Sequence, residues 1–150
     1  MKRGPLAGAV AGAVGTLTLD IVSYADMYAQ GRAASSLPGD VAARVAGMVG
    51  IDLTGDDDAS KNRRTALGAM LGYATGIVVG AAYGVARRKP GTSRGALRLG
   101  AAAMGVANGP MVAQGLTDPR KWGTKGWISD IVPHVAYGVV TARTYEAITS

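Results

Sequence analysis

The 150-residue chain has no cysteine, no phenylalanine and a single histidine. The first absence excludes disulfides, thiolate metal sites and a cysteine nucleophile. One histidine excludes every paired-histidine metal motif. Charge is scarce as well: Asp, Glu, Lys and Arg make up 17% of residues, against roughly 25% in an ordinary soluble domain. No nucleophile elbow, phosphate loop or HExxH motif is present, and lone serines such as Ser23 and Ser129 have no placed base. The length suits one domain, residues 1–150. The expectation is a non-enzymatic protein with no cofactor and no bound metal.

What fills the chain instead is alanine and glycine, together a third of all residues. The few charges are segregated. Residues 4–25, 65–86, 99–117 and 126–142 contain only Asp20 and Asp130, and every other charge lies outside these windows. About 20 mostly apolar residues cross the hydrocarbon core of a bilayer. The pattern therefore predicts an all-α integral membrane four-helix bundle, with spans at about 5–25, 65–86, 99–117 and 126–142. The mean hydropathy of +0.17 is low for four spans because Ala and Gly replace larger apolar residues. A soluble bundle would alternate polar and apolar faces, whereas residues 66–86 have no polar face. Met1-Lys2-Arg3 before an apolar run resembles a signal peptide, with Ser23-Tyr24-Ala25 as a small-x-small cleavage site. Asp20 interrupts that run, so the segment is read as a retained span.

Orientation follows from Lys and Arg beside the spans. Arg87, Arg88, Lys89 and Arg94 crowd the short loop between spans two and three, and Arg98, Lys2, Arg3 and Arg143 lie on the same side. Both termini are therefore expected in the cytoplasm of a bacterium, with the chain in the plasma (inner) membrane. The net charge of +6 is read as topology signal and attraction to anionic lipid heads, not as nucleic-acid binding. The expected partners are the lipid bilayer and either a second copy or another membrane protein.

The long first outer loop carries Ser35-Ser36-Leu37-Pro38-Gly39-Asp40, a turn into a short amphipathic helix with Asp40 as N-cap. Val41, Ala42, Val45, Met48 and Val49 form its apolar face, and Gly50 closes it. Asp56-Asp57-Asp58 lacks the alternating ligands of a calcium loop and reads as a solvated turn. Tyr83, Tyr137, Trp122 and Trp127 read as interfacial anchors. A weak repeat is visible: Arg3-Gly4-Pro5-Leu6 matches Arg94-Gly95-Ala96-Leu97, and Ala82-Tyr83-Gly84-Val85 matches Ala136-Tyr137-Gly138-Val139.

The strongest pattern is a glycine at every fourth residue of span two: Gly68, Gly72, Gly76, Gly80 and Gly84. A helical glycine costs about 1 kcal/mol against alanine, so five in a row point to close approach of another helix, a glycine zipper. Similar stripes run through Gly8, Gly12, Thr16, Asp20 and Tyr24, through Ala101, Gly105, Gly109 and Ala113, and through Gly126, Asp130, His134, Gly138 and Ala142. The two intramembrane acids and the histidine lie on these stripes and are expected to face inward. Asp20, Asp130 and His134 fall at overlapping depths in the outer half, with Asn108 near mid-membrane before Gly109-Pro110. Ionisable residues inside a span are functional candidates by default. Asp20, Asn108, Asp130 and His134 are thus the candidate proton or solute site. A structural Asp–His pair and a divalent-metal site are the competing readings.

Gly115-Leu116-Thr117-Asp118-Pro119, Trp127, Asp130, His134 and Tyr137 resemble the C-terminal part of the YagU-like family of small bacterial inner-membrane proteins. That resemblance implies a last span carrying an acid and a histidine, an association with acid resistance, and weight on Asp130 and His134. The functional expectation is a polytopic membrane protein whose Asp/His cluster handles protons or a small solute. The alternative is an accessory or scaffold subunit that packs on a partner through its glycine ladder.

Overall fold

The computed structural model describes residues 3–86 and 93–150. Among them are five α-helices and no strand: α1 (Arg3–Gln30), α2 (Leu37–Met48), α3 (Asp58–Ala86), α4 (Ser93–Ala113) and α5 (Gly123–Thr149). A 3-10 turn at Pro119–Lys121 precedes α5. Lys2 and the basic stretch 87–92, on which much of the orientation argument rests, lie outside the described residues. By length and composition α1 and α3 are long and apolar enough to cross a membrane. The helices at the third and fourth predicted spans fall short of that measure, since Arg94, Arg98 and Asn108 dilute α4 and Lys125, Asp130, His134 and Arg143 dilute α5.

Local chemistry sets the helix ends. Asp57 caps α3: its carboxylate accepts from the Ser60 N–H at 3.0 Å and from the Ser60 hydroxyl at 2.6 Å. The Ser60 hydroxyl, then its N–H, hold the Asp57 carboxyl below its ordinary value of 3.8. The cap is therefore fully present above that pH and is lost as pH falls through the lower folded value. The triple-Asp turn is thus a helix cap. The third predicted span was expected to reach Thr117, yet α4 stops at Ala113. Gly115 takes φ +68°, its N–H bonds the Val112 carbonyl at 3.0 Å, and the Leu116 N–H bonds the Met111 carbonyl at 2.9 Å. This left-handed closure needs a glycine. Gly50 closes α2 in the same way, as its position predicts.

Two expectations for α2 change. It starts at Leu37 after Ser36, with Pro38 in its first turn, so Asp40 lies inside the first turn and is not the N-cap. Proline sets the helical φ early and starts the helix sooner. Of the predicted face only Ala42 is buried, together with Gly39 and Ala46, and Val45, Met48 and Val49 are exposed. Small residues win that face because α2 lies directly on the α3 backbone, where Gly68 faces Pro38 and Gly39.

The long helices pack side by side in alternating directions. A Cβ on Gly4 would lie 2.6 Å from the Gly84 carbonyl oxygen. Cβ atoms on Gly8 and Gly12 would strike the carbonyl oxygens of Gly80 and Gly76, and one on Gly80 would strike that of Gly8. α1 and α3 are therefore antiparallel, with backbones in contact from Gly4 to Gly12 and from Gly76 to Gly84. Dispersion across such a contact offsets the propensity cost of the glycines. Beyond it the ladder changes partner: Gly68 serves α2, and Gly72 meets nothing within 4 Å.

α5 joins α1 where Gly15 faces Thr141 and Tyr137, and α4 joins α5 through Gly100 and Gly138. Val79, Leu99, Ala103 and Tyr137 form the central buried cluster. Tyr137 is 1% exposed and donates to the Gly76 carbonyl at 2.6 Å, so it is a core residue and not an interfacial anchor. Its ring fills space that the glycines leave empty. Tyr145 donates likewise to the Gly84 carbonyl at 3.3 Å. The predicted α4 stripe of Ala101, Gly105, Gly109 and Ala113 is exposed. Ala96, Leu99, Gly100 and Ala103 make the contact instead, because the packing row lies next to the chosen one on the helix surface.

The helix contacts are thus made mainly by small residues, and most of the large aliphatic side chains point outward. Leu6, Val10, Val14, Leu17 and Ile21 on α1, Met70, Val78 and Val85 on α3, and Ile128, Ile131 and Val132 on α5 are all exposed.

Two alanine substitutions separate contact from propensity. Gly80→Ala places a Cβ against the α1 backbone and is expected to lower stability in detergent by about 1–3 kcal/mol. Gly72→Ala meets open space and is expected to raise it by about 0.5–1 kcal/mol. Equal effects in thermal unfolding would contradict the packing.

Candidate functional site

The predicted cluster divides into two. Asn108 on α4 and Asp130 and His134 on α5 come together. The Asn108 Nδ2 donates to Asp130 Oδ2 at 2.7 Å. His134 Nδ1 lies 2.7 Å from the Asp130 backbone carbonyl and 3.5 Å from Asp130 Oδ1. A carbonyl only accepts, so Nδ1 carries the hydrogen and Nε2 is left as the acceptor of the neutral ring. The spacing of one helical turn puts acid and imidazole on the same face, and α4 supplies the amide from across the helix pair. Pro110 lies inside α4 and Pro133 inside α5, and both helices run through them.

Asp20 is not part of this group. It is half-buried on α1, and the Tyr73 hydroxyl of α3 lies beside its carboxylate. The depth expected from the sequence does not bring the two acids together, because Asp20 faces the α1–α3 seam while Asp130 faces α4. Among the described residues no three of His, Asp and Glu gather closely enough to hold a metal ion.

The arrangement is suited to proton exchange. The imidazole is 10% exposed and the carboxylate 22%, so the pair is largely desolvated without being sealed. Burial penalises a lone charge, whereas a proton taken at Nε2 would place imidazolium beside carboxylate. Asn108 holds one carboxylate oxygen and leaves Oδ1 toward the ring.

The weak repeat acquires a structural meaning here. Gly8 against the Gly80 carbonyl in the α1–α3 hairpin corresponds to Gly100 against the His134 carbonyl in the α4–α5 hairpin. Gly84 against Gly4 corresponds to Gly138 against Ala96. The α3–α5 register agrees with the matched Ala-Tyr-Gly-Val segments. The α1–α4 register is one residue off the Arg-Gly match. Continuing both registers places Asn108 at the position of Thr16, Asp130 at that of Gly76 and His134 at that of Gly80. Thr16 and Gly76 touch in the first hairpin, as Asn108 and Asp130 do in the second. The second hairpin carries its polar group where the first carries its ladder.

A polar link at the same end of the helices was not foreseen. Asp26 accepts from Arg32 at 2.8 Å and from Gln30 at 2.6 Å, and Gln30 also donates to Ser129, next to Asp130, at 3.1 Å. The Asp26–Gln30 spacing of one turn was visible in the sequence, but the tie to Ser129 depends on how α1 meets α5. Trp122 and Trp127 pack together with ring centroids 5.0 Å apart.

No family model, curated protein or solved structure matches this chain.

The Asn108–Asp130 bond joins two helices and should be measurable as a coupling. A double-mutant cycle of Asn108→Ala and Asp130→Ala in detergent is expected to give about 0.6–2 kcal/mol of interaction. Strict additivity would remove the bond from the account.

Proposed function

We propose that the chain is a four-span bacterial plasma-membrane protein, non-enzymatic, in which Asn108, Asp130 and His134 handle protons or a small solute from the outer half of the bilayer. The reversed distribution of side-chain size supports the membrane setting. Most isoleucine, leucine and valine side chains lie outside, while glycine and alanine make most of the helix contacts inside. In water such a surface would be a large exposed apolar patch. In lipid it is solvated, and close small-residue packing is what holds helices together. α4 and α5, less apolar, are shielded in part by packing on each other. In this reading both termini are cytoplasmic and α2 lies at the outer surface.

The hydrogen-bonded Asn108–Asp130–His134 group carries the functional part. It occupies the places that the other hairpin gives to Thr16, Gly76 and Gly80, so close packing alone does not call for it. A group retained at that cost suits a working role. The YagU-like resemblance, with its association with acid resistance, points to protons first. The scaffold reading relies on a free glycine ladder, and this ladder is taken up within the chain except at Gly72.

His134→Gln keeps a hydrogen-bonding group of similar reach but cannot be protonated near neutral pH. The variant is expected to fold with a modest loss of stability and to lose the pH response of the protein, read as proton flux in proteoliposomes after an acid jump. Wild-type flux in a folded variant would sink the proton role and favour a structural pair.

A further inference from the structure

A second feature with binding chemistry lies at the corner between α4 and α5, apart from the polar group. A cleft of about 490 Å³ is lined by Val112, Leu116, Thr117, Asp118, Arg120 and Lys121, among others. Its charged side chains are prearranged. Asp118 Oδ1 accepts from the Arg120 backbone N–H at 3.1 Å and from Arg120 Nε at 3.0 Å. That grip uses Nε alone and leaves both terminal guanidinium nitrogens open, on a side chain 91% exposed. A guanidinium fixed at its base, with its fork free, suits bidentate contact with a phosphate. Lys121, beside it, has no ion-pair partner among the described residues. Thr117 Oγ1 accepts from Trp122 Nε1 at 2.7 Å, so its own hydrogen is free to donate into the cleft. On α2, Arg44 donates to the Gln114 carbonyl at 2.8 Å and adds positive charge one residue from the cleft wall. Against these cations stands one acid, Asp118.

The lining also includes apolar side chains. Val112 is 42% exposed on the outer side of α4, and Leu116 is half-buried beside the cleft. The Trp122–Trp127 pair borders the corner, and tryptophan is enriched where bilayer meets water. Cations, a hydroxyl and apolar side chains in one lining match an anionic headgroup carrying an acyl chain. We propose that this corner binds the phosphate of an anionic phospholipid, with Arg120, Lys121 and Thr117 on the headgroup and Val112 along the chain. The inference rests on the membrane reading above, which sets the corner at the bilayer surface.

The test uses the full chain in detergent and follows fluorescence from Trp122 and Trp127, the only tryptophans. Three probes are titrated: short-chain phosphatidylglycerol, short-chain phosphatidylcholine and inorganic phosphate. Saturable binding of phosphatidylglycerol is expected, with phosphatidylcholine and inorganic phosphate at least five-fold weaker. Arg120→Gln and Lys121→Gln are each expected to weaken phosphatidylglycerol about five-fold. Both side chains are exposed, so the variants should melt as wild type does, which a thermal scan checks. Equal affinity for the two lipids, or wild-type affinity in the double variant, would overturn the site. Inorganic phosphate matching phosphatidylglycerol would replace the lipid with a free anion. If the protein inserts into vesicles yet shows no headgroup preference, the lipid site fails and the membrane reading stands.

Discussion

The contact between α1 and α3 leaves no room for a side chain, and much else follows from it. Gly4, Gly8 and Gly12 lie on Gly84, Gly80 and Gly76 so closely that a methyl group at most of these positions would strike a carbonyl oxygen. With the two backbones this near, the carbonyls of Gly76 and Gly84 are within reach of a third helix, and Tyr137 and Tyr145 of α5 donate to them. α5 is thereby fixed against both helices of the first hairpin. Gly100 and Gly138 then set α4 on α5 by the same device. An interior so thin takes few large aliphatic side chains, Leu99 and Val79 beside Tyr137 among them, and most of the others go to the outer surface.

The polar group gains its meaning from this background. Where helices touch through glycine, an acid and an imidazole at equivalent positions are conspicuous departures. Asp130 is held by an amide from α4 and faces its own helical neighbour His134. The Asn108 amide fixes one carboxylate oxygen and leaves the other toward the ring. Asp20 and Tyr73 form a second acid contact on the opposite seam, separate from the Asn108–Asp130–His134 group.

Much of this is legible in the sequence. The spacing of Gly68 to Gly84 announces a helix contact, and the row Gly126, Asp130, His134, Gly138 and Ala142 does turn inward. Helical class, the closing role of Gly50 and the pairing of Asp130 with His134 come from local spacing alone. What the sequence hides depends on which neighbour each face meets. On α4, two adjacent small-residue rows compete, and only the position of α5 selects Ala96, Gly100 and Ala103 over Gly105 and Gly109. On α2, apolar periodicity favours Val45 and Met48 along with Ala42, yet the nearness of the α3 backbone keeps only Ala42 of these and adds Gly39 and Ala46. Tyr137 has the composition of an interfacial anchor, and its burial follows from empty space beside glycines on another helix. Asp20 shares a depth with Asp130, and depth alone cannot place two side chains on one seam.

The most direct test of the account is which side of a membrane each end of the helices faces. The chain is naturally free of cysteine, so single cysteines at Asp57, before α3, and at Thr92, before α4, report without background. In intact cells an impermeant thiol reagent is expected to label the cysteine at position 57, and to label that at position 92 only after the membrane is opened. Labelling of both from outside, or of neither until the membrane is opened, would contradict four spans with cytoplasmic termini.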